Sequence, residues 1–355
     1  MNKTYSDGSI YTLGVNRTTN LSVKPETTII TGTGTPIKNN PALIKRANRK
    51  VITNHLVLAM IDVAKANGET KILERYWNTY HCHTKLISKN GRYYSNWCKN
   101  RWCTTCCGIR KAMMIKTYYP IISKWEEPHL LTITLKSVKA KDLDARINQI
   151  IKVFHKIKDR CNKRHERGKG MKIIGVKSLE CNFNATQRTY NPHYHMIVPN
   201  RVIGLYIKQE WKKELNKNEF NVGAKGQHIR EVKRTEKDLV EVIKYGAKIL
   251  SDPNPEDKRK RTKGDMTGLQ IYAGALHTIY KAFDGHHLFS RFGFKLPENN
   301  EKEITIKEVS EFENWEYNHK QMDWINMKTG KLLTEYEIDH KLENLLKSCI
   351  DLEIC

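Results

Sequence analysis

Residues Tyr190–Pro199 read YNPHYHMIVP, with His193 and His195 two apart at the head of the apolar run Met196-Ile197-Val198. Period-2 spacing on a β-strand puts both imidazoles on one face and turns Tyr194 and Met196 to the other. Pro192 suits the start of such a strand, where its missing N–H need not join a ladder. Side chains two apart on a strand stand about 7 Å from each other at the backbone, so both imidazoles can reach one metal ion if a third ligand faces them. A lone His-x-His is a weak signal, because structural and surface histidines share the pattern.

Immediately upstream, Ile173–Phe183 (IIGVKSLECNF) reads as a strand, and the turn-rich NATQRTYNP joins it to the histidine strand. With the hairpin turn near Thr186-Gln187, Glu180 falls opposite His193, and opposite Cβ atoms across a strand pair are about 5 Å apart. Glu180, His193 and His195 would then surround one ion. Two imidazoles and a carboxylate with open positions suit Mn²⁺ or Mg²⁺ holding a phosphate oxygen. The bland reading of Glu180 is a solvent-facing strand residue paired with Lys177 or Arg188.

Further out, His129–Lys136 (HLLTITLK) is a strand rich in β-branched residues. Asp142 to about His165 is a helix with Leu143, Ile147, Ile150, Ile151, Phe154 and Ile157 on its apolar face. Leu205 to about Asn216 is helical, and Gln227–Lys233 (QHIREVK) is a strand. Thr235 opens a helix in capping-box style with Asp238, and that helix runs to about Leu250 before Asp252-Pro253-Asn254-Pro255. The order β-α-β-β-α-β-α predicts an α+β fold: a central antiparallel sheet with helices on its faces.

On that last helix Glu241, Tyr245 and Lys248 fall at i, i+4 and i+7, on one face. A tyrosine hydroxyl, with a free pKa of about 10, becomes a nucleophile toward a phosphodiester if a neighbouring cation favours the phenolate. Lys248 can do that and bind phosphate, while Glu241 can act as general base for the tyrosine or for water. The alternative is an ordinary amphipathic helix with a packed tyrosine and two solvated charges.

The chain has 355 residues, 62 Lys+Arg against 38 Asp+Glu, and a formal net charge of +24. Such an excess points to a polyanionic partner, nucleic acid above all. No stretch reaches the roughly 18 consecutive apolar residues of a membrane span, and the N-terminus lacks an apolar signal core; a cytosolic protein is expected. Nine cysteines in a reducing compartment are poor disulfide candidates. Five of the nine lie between Cys82 and Cys107. Cys82, Cys98, Cys103 and Cys106 form a set suited to a closed, structural tetrahedral zinc site. The segment Leu86–Tyr94, with Asn90-Gly91 at its middle, reads as a hairpin between the first two thiols. Cys107 in place of Cys106, and His81 or His83 in place of Cys82, remain open alternatives. Arg101, Arg110 and Lys111 stand beside the cluster as candidate phosphate contacts, as do Lys258, Arg259, Lys260 and Arg261 in a basic run further on.

The organisation expected is a disordered arm at 1–45, a helical lead-in and zinc module at 46–120, a nuclease-type domain at 121–252, and a basic linker with an accessory region at 253–355. Pro41 to about Tyr80 shows helical periodicity, and a helix from Ile109 ending at Pro120 leaves the cysteine cluster. Thr267–Phe294 reads as helical and then turn-rich, with His286-His287 unassigned. The acidic tail from Glu298 carries a helix at Glu335–Leu346.

In order, the chain carries C-x4-C-x2-C with its upstream cysteine, HLLTITLK, PHYHMIVP and the E-x2-K-Y-x2-K helix. Over roughly Tyr80–Leu250 it resembles the plasmid replication initiators (Rep proteins) that start rolling-circle replication, within the His-hydrophobic-His (HUH) endonuclease superfamily. The resemblance implies a nicking and joining enzyme with the HUH, ferredoxin-like sheet. It makes Tyr245 the nucleophile of a 5′-phosphotyrosine intermediate and His193, His195 and Glu180 ligands of Mg²⁺ or Mn²⁺. Glu241 becomes the residue that directs water at termination, with Lys248 its companion. It also implies a plasmid double-strand origin and single-stranded nick site as DNA partners, a host helicase and polymerase, and a bacterial cytoplasmic location. Oligomeric state is not legible, a dimer at the origin being one expectation. Lys136-Ser137 stands where an Asn-containing strand ending is expected. Alternatives are a relaxase or transposase of the same chemistry, disfavoured because the tyrosine follows the histidines, and a non-catalytic zinc-dependent DNA-binding regulator.

Overall fold

The computed structural model describes residues 35–36, 41–89, 92–95, 97–217, 226–232, 270–297 and 313–354. Outside the described residues lie most of the expected N-terminal arm, the segment from Thr235 expected to be helical with Glu241, Tyr245 and Lys248, and the basic run Lys258–Arg261. The elements in chain order are β1 (Thr35–Pro36), α1 (Pro41–Ala66), α2 (Thr70–Tyr80), β2 (Lys85–Lys89), β3 (Arg92–Ser95), α3 (Thr104–Ile122), β4 (His129–Thr134), α4 (Leu143–Glu166), β5 (Gly175–Asn184) and β6 (Thr189–Val198). There follow α5 (Arg201–Lys217), β7 (His228–Glu231), β8 (Gln270–Tyr272), α6 (Ala273–Ala282), β9 (Phe289–Phe292), β10 (Glu313–Asn318), β11 (Asp323–Asn326), α7 (His340–Leu346) and β12 (Cys349–Asp351). The chain is a mixed α+β protein with antiparallel sheets, and it forms two compact units.

The first unit takes the residues before Gly108 together with the later segments 270–273 and 313–352. Its antiparallel sheet runs β1-β3-β2-β10-β11, and β8 pairs in parallel with β12. The hairpin expected around Asn90-Gly91 is present, with Lys89 opposite Arg92. The C-terminal tail contributes β10 and β11 to the larger sheet and β12 to the pair with β8, three strands that sequence periodicity did not mark. Trp315, facing Leu86 across β10 and β2, is buried and donates from its indole to Ser88 Oγ at 2.9 Å. Trp324 is buried too, and its indole N–H meets the His83 carbonyl at 2.7 Å. These buried indoles each satisfy their one donor, which is the condition for burying tryptophan cheaply.

The second unit is built on the antiparallel sheet β7-β4-β6-β5-β9. The described part follows the expected β-α-β-β-α-β order, and β9 is an additional edge strand. On one face Tyr194 packs against Phe154 of α4, ring centroids 5.5 Å apart, and α5 lies over β4 and β6. On the other face three rows cross the sheet. Leu130, Ile197 and Val176 stand opposite one another and are covered by Tyr118 and Ile122 of α3. The next row is Thr132, His195 and Ser178; the one after is Thr134, His193 and Glu180. Helix α3 thus closes the apolar end of this face, and the polar rows occupy the other end.

Two local expectations are corrected. Helix α3 begins at Thr104, inside the cysteine knuckle, and continues through Pro120 to Ile122. A proline one turn from a helix end forfeits a single hydrogen bond and need not stop the chain there. The stretch expected to be helical and then turn-rich holds strands at both ends of α6, because β8 and β9 each find distant partners in β12 and β5.

Candidate metal centre

β5 and β6 form a hairpin whose last pair is Asn184 with Thr189, so Glu180 stands opposite His193 and Ser178 opposite His195, as the sequence predicted. The ligand atoms of Glu180, His193 and His195 all lie within 4.8 Å of one another. The two Nε2 atoms are 3.1 Å apart, and each lies 3.8 Å from a Glu180 carboxylate oxygen. Two ligands held ~2.1 Å from one ion at right angles are themselves ~3 Å apart, so the imidazole pair fits adjacent positions on a divalent ion. Glu180 and His193 are buried. A buried carboxylate between two imidazoles is costly without a cation to compensate it.

The imidazoles are aimed by their neighbours. His193 Nδ1 lies 2.9 Å from the Asn191 carbonyl oxygen, which can only accept, so Nδ1 carries the proton and Nε2 presents a lone pair. His195 Nδ1 lies 2.9 Å from Thr132 Oγ1. Asn191 is itself fixed: its side-chain oxygen accepts from Thr134 Oγ1 at 2.9 Å, and its amide donates to Ser137 Oγ at 3.0 Å. Thr134 is tied through its backbone to the side chain of Gln227, which accepts from its N–H at 3.1 Å and donates to its carbonyl at 3.0 Å. Such outer partners fix ring orientation and ligand basicity. The sequence reading missed Thr132, Thr134, Asn191 and Gln227. The alternation in HLLTITLK puts both threonines on the histidine face and was the available signal.

The second cluster lies in the first unit. Cys82, Cys98, Cys103 and Cys106 bring their sulfurs within 4.8 Å of one another. Cys106 Sγ is 3.5 Å from Cys82 Sγ and 3.7 Å from Cys98 Sγ. Those separations exceed the ~2.05 Å of a disulfide and match the ~3.8 Å edge of a tetrahedron with 2.3 Å zinc–sulfur bonds. Cys107 is not in the set; its thiol donates to the Arg101 carbonyl at 2.6 Å. Neither His81 nor His83 joins it. The amides of Cys98 and Cys106 donate to Cys82 Sγ and Cys103 Sγ at 3.3 and 3.4 Å. Hydrogen bonding from Cys103 and its neighbours holds the Cys98 thiol far below its usual value, while the same crowding pushes Cys82 up. Four sulfurs so placed ionise together only around a cation.

Lys50 of α1 supplies another observation. Its side chain is 1% exposed, and its ammonium donates to the carbonyls of Tyr80 and Cys82 at 2.5 and 2.6 Å and to Thr84 Oγ1 at 3.2 Å. Burial depresses it to about 8 despite the opposing pull of the four cysteines. A buried ammonium beside a thiol cluster fits an anionic tetrathiolate centre, so the donor set suits structural zinc.

Of the remaining expected residues, Arg101 precedes α3, and Arg110 and Lys111 sit on it, all half-buried. Among the described residues no helix is long and apolar enough to cross a membrane.

Two imidazoles and a carboxylate on one face of an antiparallel sheet, with a four-thiol cluster in a separate unit, define an α+β protein equipped to hold metal in two chemically different places. Comparison with known proteins gives it a family: the model described as "Replication protein" matches residues 91–336, and the chain belongs to that family, which bears out the resemblance to plasmid rolling-circle initiators. A Staphylococcus aureus protein named Protein rep is 29% identical over 119 residues, 32% of this chain and 50% of that protein. A Bacillus sp. Protein rep is 25% identical over 183 residues, 44% of this chain and 58% of the relative. One from Streptococcus pneumoniae serotype 2 is 31% identical over 113 residues, 30% and 33% respectively. The chain thus spans between a third and three-fifths of the length of these curated relatives. No solved structure matches.

Proposed function

We propose that the chain is a rolling-circle plasmid replication initiator that binds a double-strand origin, nicks one strand with metal assistance, keeps the 5′ end on a tyrosine and rejoins the strand at termination. The observation that carries this reading is the convergence of Glu180, His193 and His195 on one sheet face. A non-catalytic DNA-binding regulator has no use for that trio. The fold assignment that goes with it is the HUH nuclease sheet, spanning 121–252, with the thiol cluster as a structural zinc module. The surrounding segments are an N-terminal arm and a C-terminal accessory region.

In this reading His193, His195 and Glu180 hold Mg²⁺ or Mn²⁺. The ion supplies Lewis-acid polarisation of a non-bridging phosphate oxygen. The Tyr245 oxygen attacks phosphorus, the bond from phosphorus to the 3′-oxygen breaks, and that oxygen leaves as a free 3′-hydroxyl after gaining a proton. The product is a 5′-phosphotyrosine diester, and attack by a 3′-hydroxyl on it reverses the step. Lys248 favours the phenolate and holds phosphate; Glu241 accepts a proton from water at termination. The net charge of +24 serves DNA binding, with Arg101, Arg110, Lys111 and Lys258–Arg261 as phosphate contacts. A host polymerase extends the 3′-hydroxyl, a host helicase opens the duplex, and the work takes place in the bacterial cytoplasm.

The test is a nicking assay on supercoiled plasmid carrying the cognate origin, with Mn²⁺ or Mg²⁺. Relaxed circles and a detergent-resistant protein–DNA adduct are expected, both lost on adding a chelator. Binding without relaxation or adduct under any divalent ion overturns the reading.

A further inference from the structure

The His195 row crosses the entire sheet of the second unit: His228, Thr132, His195, Ser178 and Phe289 stand opposite one another on β7, β4, β6, β5 and β9. Phe289 is therefore two strand spacings, ~10 Å, from the histidine strand. It lines a cavity of about 470 Å³ at the edge of β9 that no described strand pairs. Two cationic side chains line that cavity, Lys158 from α4 and Arg291 from β9 itself, together with the imidazole of His287 from the turn before β9, and among the described residues no carboxylate does. Aromatic rings line it as well. Tyr118 meets Phe289 edge-on at 5.1 Å, and Phe294 is half-buried against Trp125 at 6.2 Å. His287 and Arg291 are exposed and Lys158 is half-buried, so all three side chains are within reach of a ligand.

We propose that this cavity is a binding site for a nucleotide of single-stranded DNA flanking the scissile phosphate, its phosphate held by Lys158, His287 and Arg291 and its base stacked on Phe289 and Phe294. The proposal rests on the reading of the chain as a DNA-nicking protein. Cations with no described carboxylate beside them favour an anion, and the half-exposed rings of Phe289 and Phe294 favour an unstacked base, which a duplex does not offer. The surroundings reinforce the charge argument. Lys177, buried opposite Ser290 of β9, is depressed to about 8 by burial and then by the charge of Lys158. The nearest compensation for Lys158 is exposed Asp159, 3.7 Å away. An anion in the cavity relieves that repulsion. It also assigns His287, which the sequence left without a role.

The experiment uses the full chain and labelled oligothymidylate of twelve nucleotides, read by fluorescence anisotropy across a salt series. Arg291→Gln with Lys158→Gln should weaken binding about tenfold at low salt and reduce the slope of log affinity against log salt by about 0.7, the contribution of one phosphate contact in a single strand. Phe294→Leu keeps apolar bulk and should weaken binding about five- to a hundredfold with the slope unchanged, the range of one lost stacked base. On an abasic strand of equal length Phe294→Leu and the parent should bind alike. Thermal melts verify that the variants are folded. Variants that bind the oligonucleotide like the parent overturn the cavity proposal. So does a Phe294→Leu loss that persists on the abasic strand. Variants that show the predicted losses, from a parent that nicks no plasmid, leave the cavity standing and remove the nickase reading instead.

Discussion

His193 Nδ1 is held 2.9 Å from the carbonyl oxygen of Asn191, and this one contact decides which imidazole nitrogen faces Glu180. A carbonyl cannot donate, so the lone pair sits on Nε2, pointed at His195 Nε2 3.1 Å away. A neutral His193 in this tautomer turns a lone pair toward Glu180 and His195, where it could serve a metal ion.

The first prediction follows. Glu180→Ala should lower Mn²⁺ affinity by about a hundredfold or more by removing the one anionic ligand. Thr132→Val, which keeps shape but deletes the hydroxyl 2.9 Å from His195 Nδ1, should lower it about ten- to a hundredfold. Both variants should melt near the parent temperature. Titration of Mn²⁺ followed by electron paramagnetic resonance decides it; parent-like affinity in both would remove the metal from these residues.

Zinc is the subject of the second. Purified protein should carry one tightly held zinc per chain, and Cys103→Ser should cost folding, not only turnover. Lys50→Met should keep the thiols but release zinc to a chromogenic chelator at least about tenfold faster, because the carbonyls of Tyr80 and Cys82 lose their donor and the thiolates lose a buried cation. Less than about half an equivalent of zinc in the parent, or an unchanged release rate in Lys50→Met, counts against the assignment.

The third concerns acid stability. Arg160 of α4 reaches Glu210 Oε2 and Glu214 Oε2 of α5, each at 2.8 Å, and both carboxylates are 1% exposed. Burial pushes their pKa values up, but hydrogen bonds from Lys213 and Arg160 to Glu210, and from Lys156 and Arg160 to Glu214, outweigh it and hold both below the ordinary value. Depressed carboxylates stabilise the fold above their unfolded pKa of ~4.3, and that stability is lost as pH falls through the lower folded values. Arg160→Met should cost about 1.5–3 kcal/mol at neutral pH, the range for a lost hydrogen bond to a charged group, since Lys156, Arg164 and Lys213 still pair the two carboxylates. The deficit should shrink below about pH 4, where the glutamates protonate. Urea melts across pH 3–8 measure this, and a deficit that stays constant or grows in acid refutes it.

How much of this was legible depends on the range of each interaction. The Glu180–His193 register could be read because both strands and their turn lie within about twenty residues, and period 2 fixes which side chains share a face. The four thiols announced themselves by softness and spacing. Strand β10 could not be foreseen: nothing in ENWEYN names LISK, some 225 positions upstream, as its partner. β9 is four residues long, and it is a strand because β5 offers it an edge. Lys50 reads as one more basic residue on a helix; its role depends on the turn that brings Cys82 beneath it.

The last prediction concerns Tyr245 and Glu241, which lie four residues apart in the sequence. Tyr245→Phe keeps the ring, so folding and DNA binding should survive, while nicking and the covalent adduct disappear. Only a hydroxyl can displace the 3′-oxygen from phosphorus. Glu241→Ala separates two roles. If Glu241 directs water at termination, the variant should nick and form the adduct at the parent rate but release it slowly and overrun the origin. If it is the base for Tyr245, the first nick should slow as well, by about 10²-fold or more. Single-turnover nicking of an oligonucleotide reports the first step, and decay of the gel-shifted adduct reports the second. Mass spectrometry of the trapped adduct then names the residue. An adduct on Tyr190 or Tyr194 would overturn the assignment, and the burial of both side chains in the sheet argues against either as nucleophile.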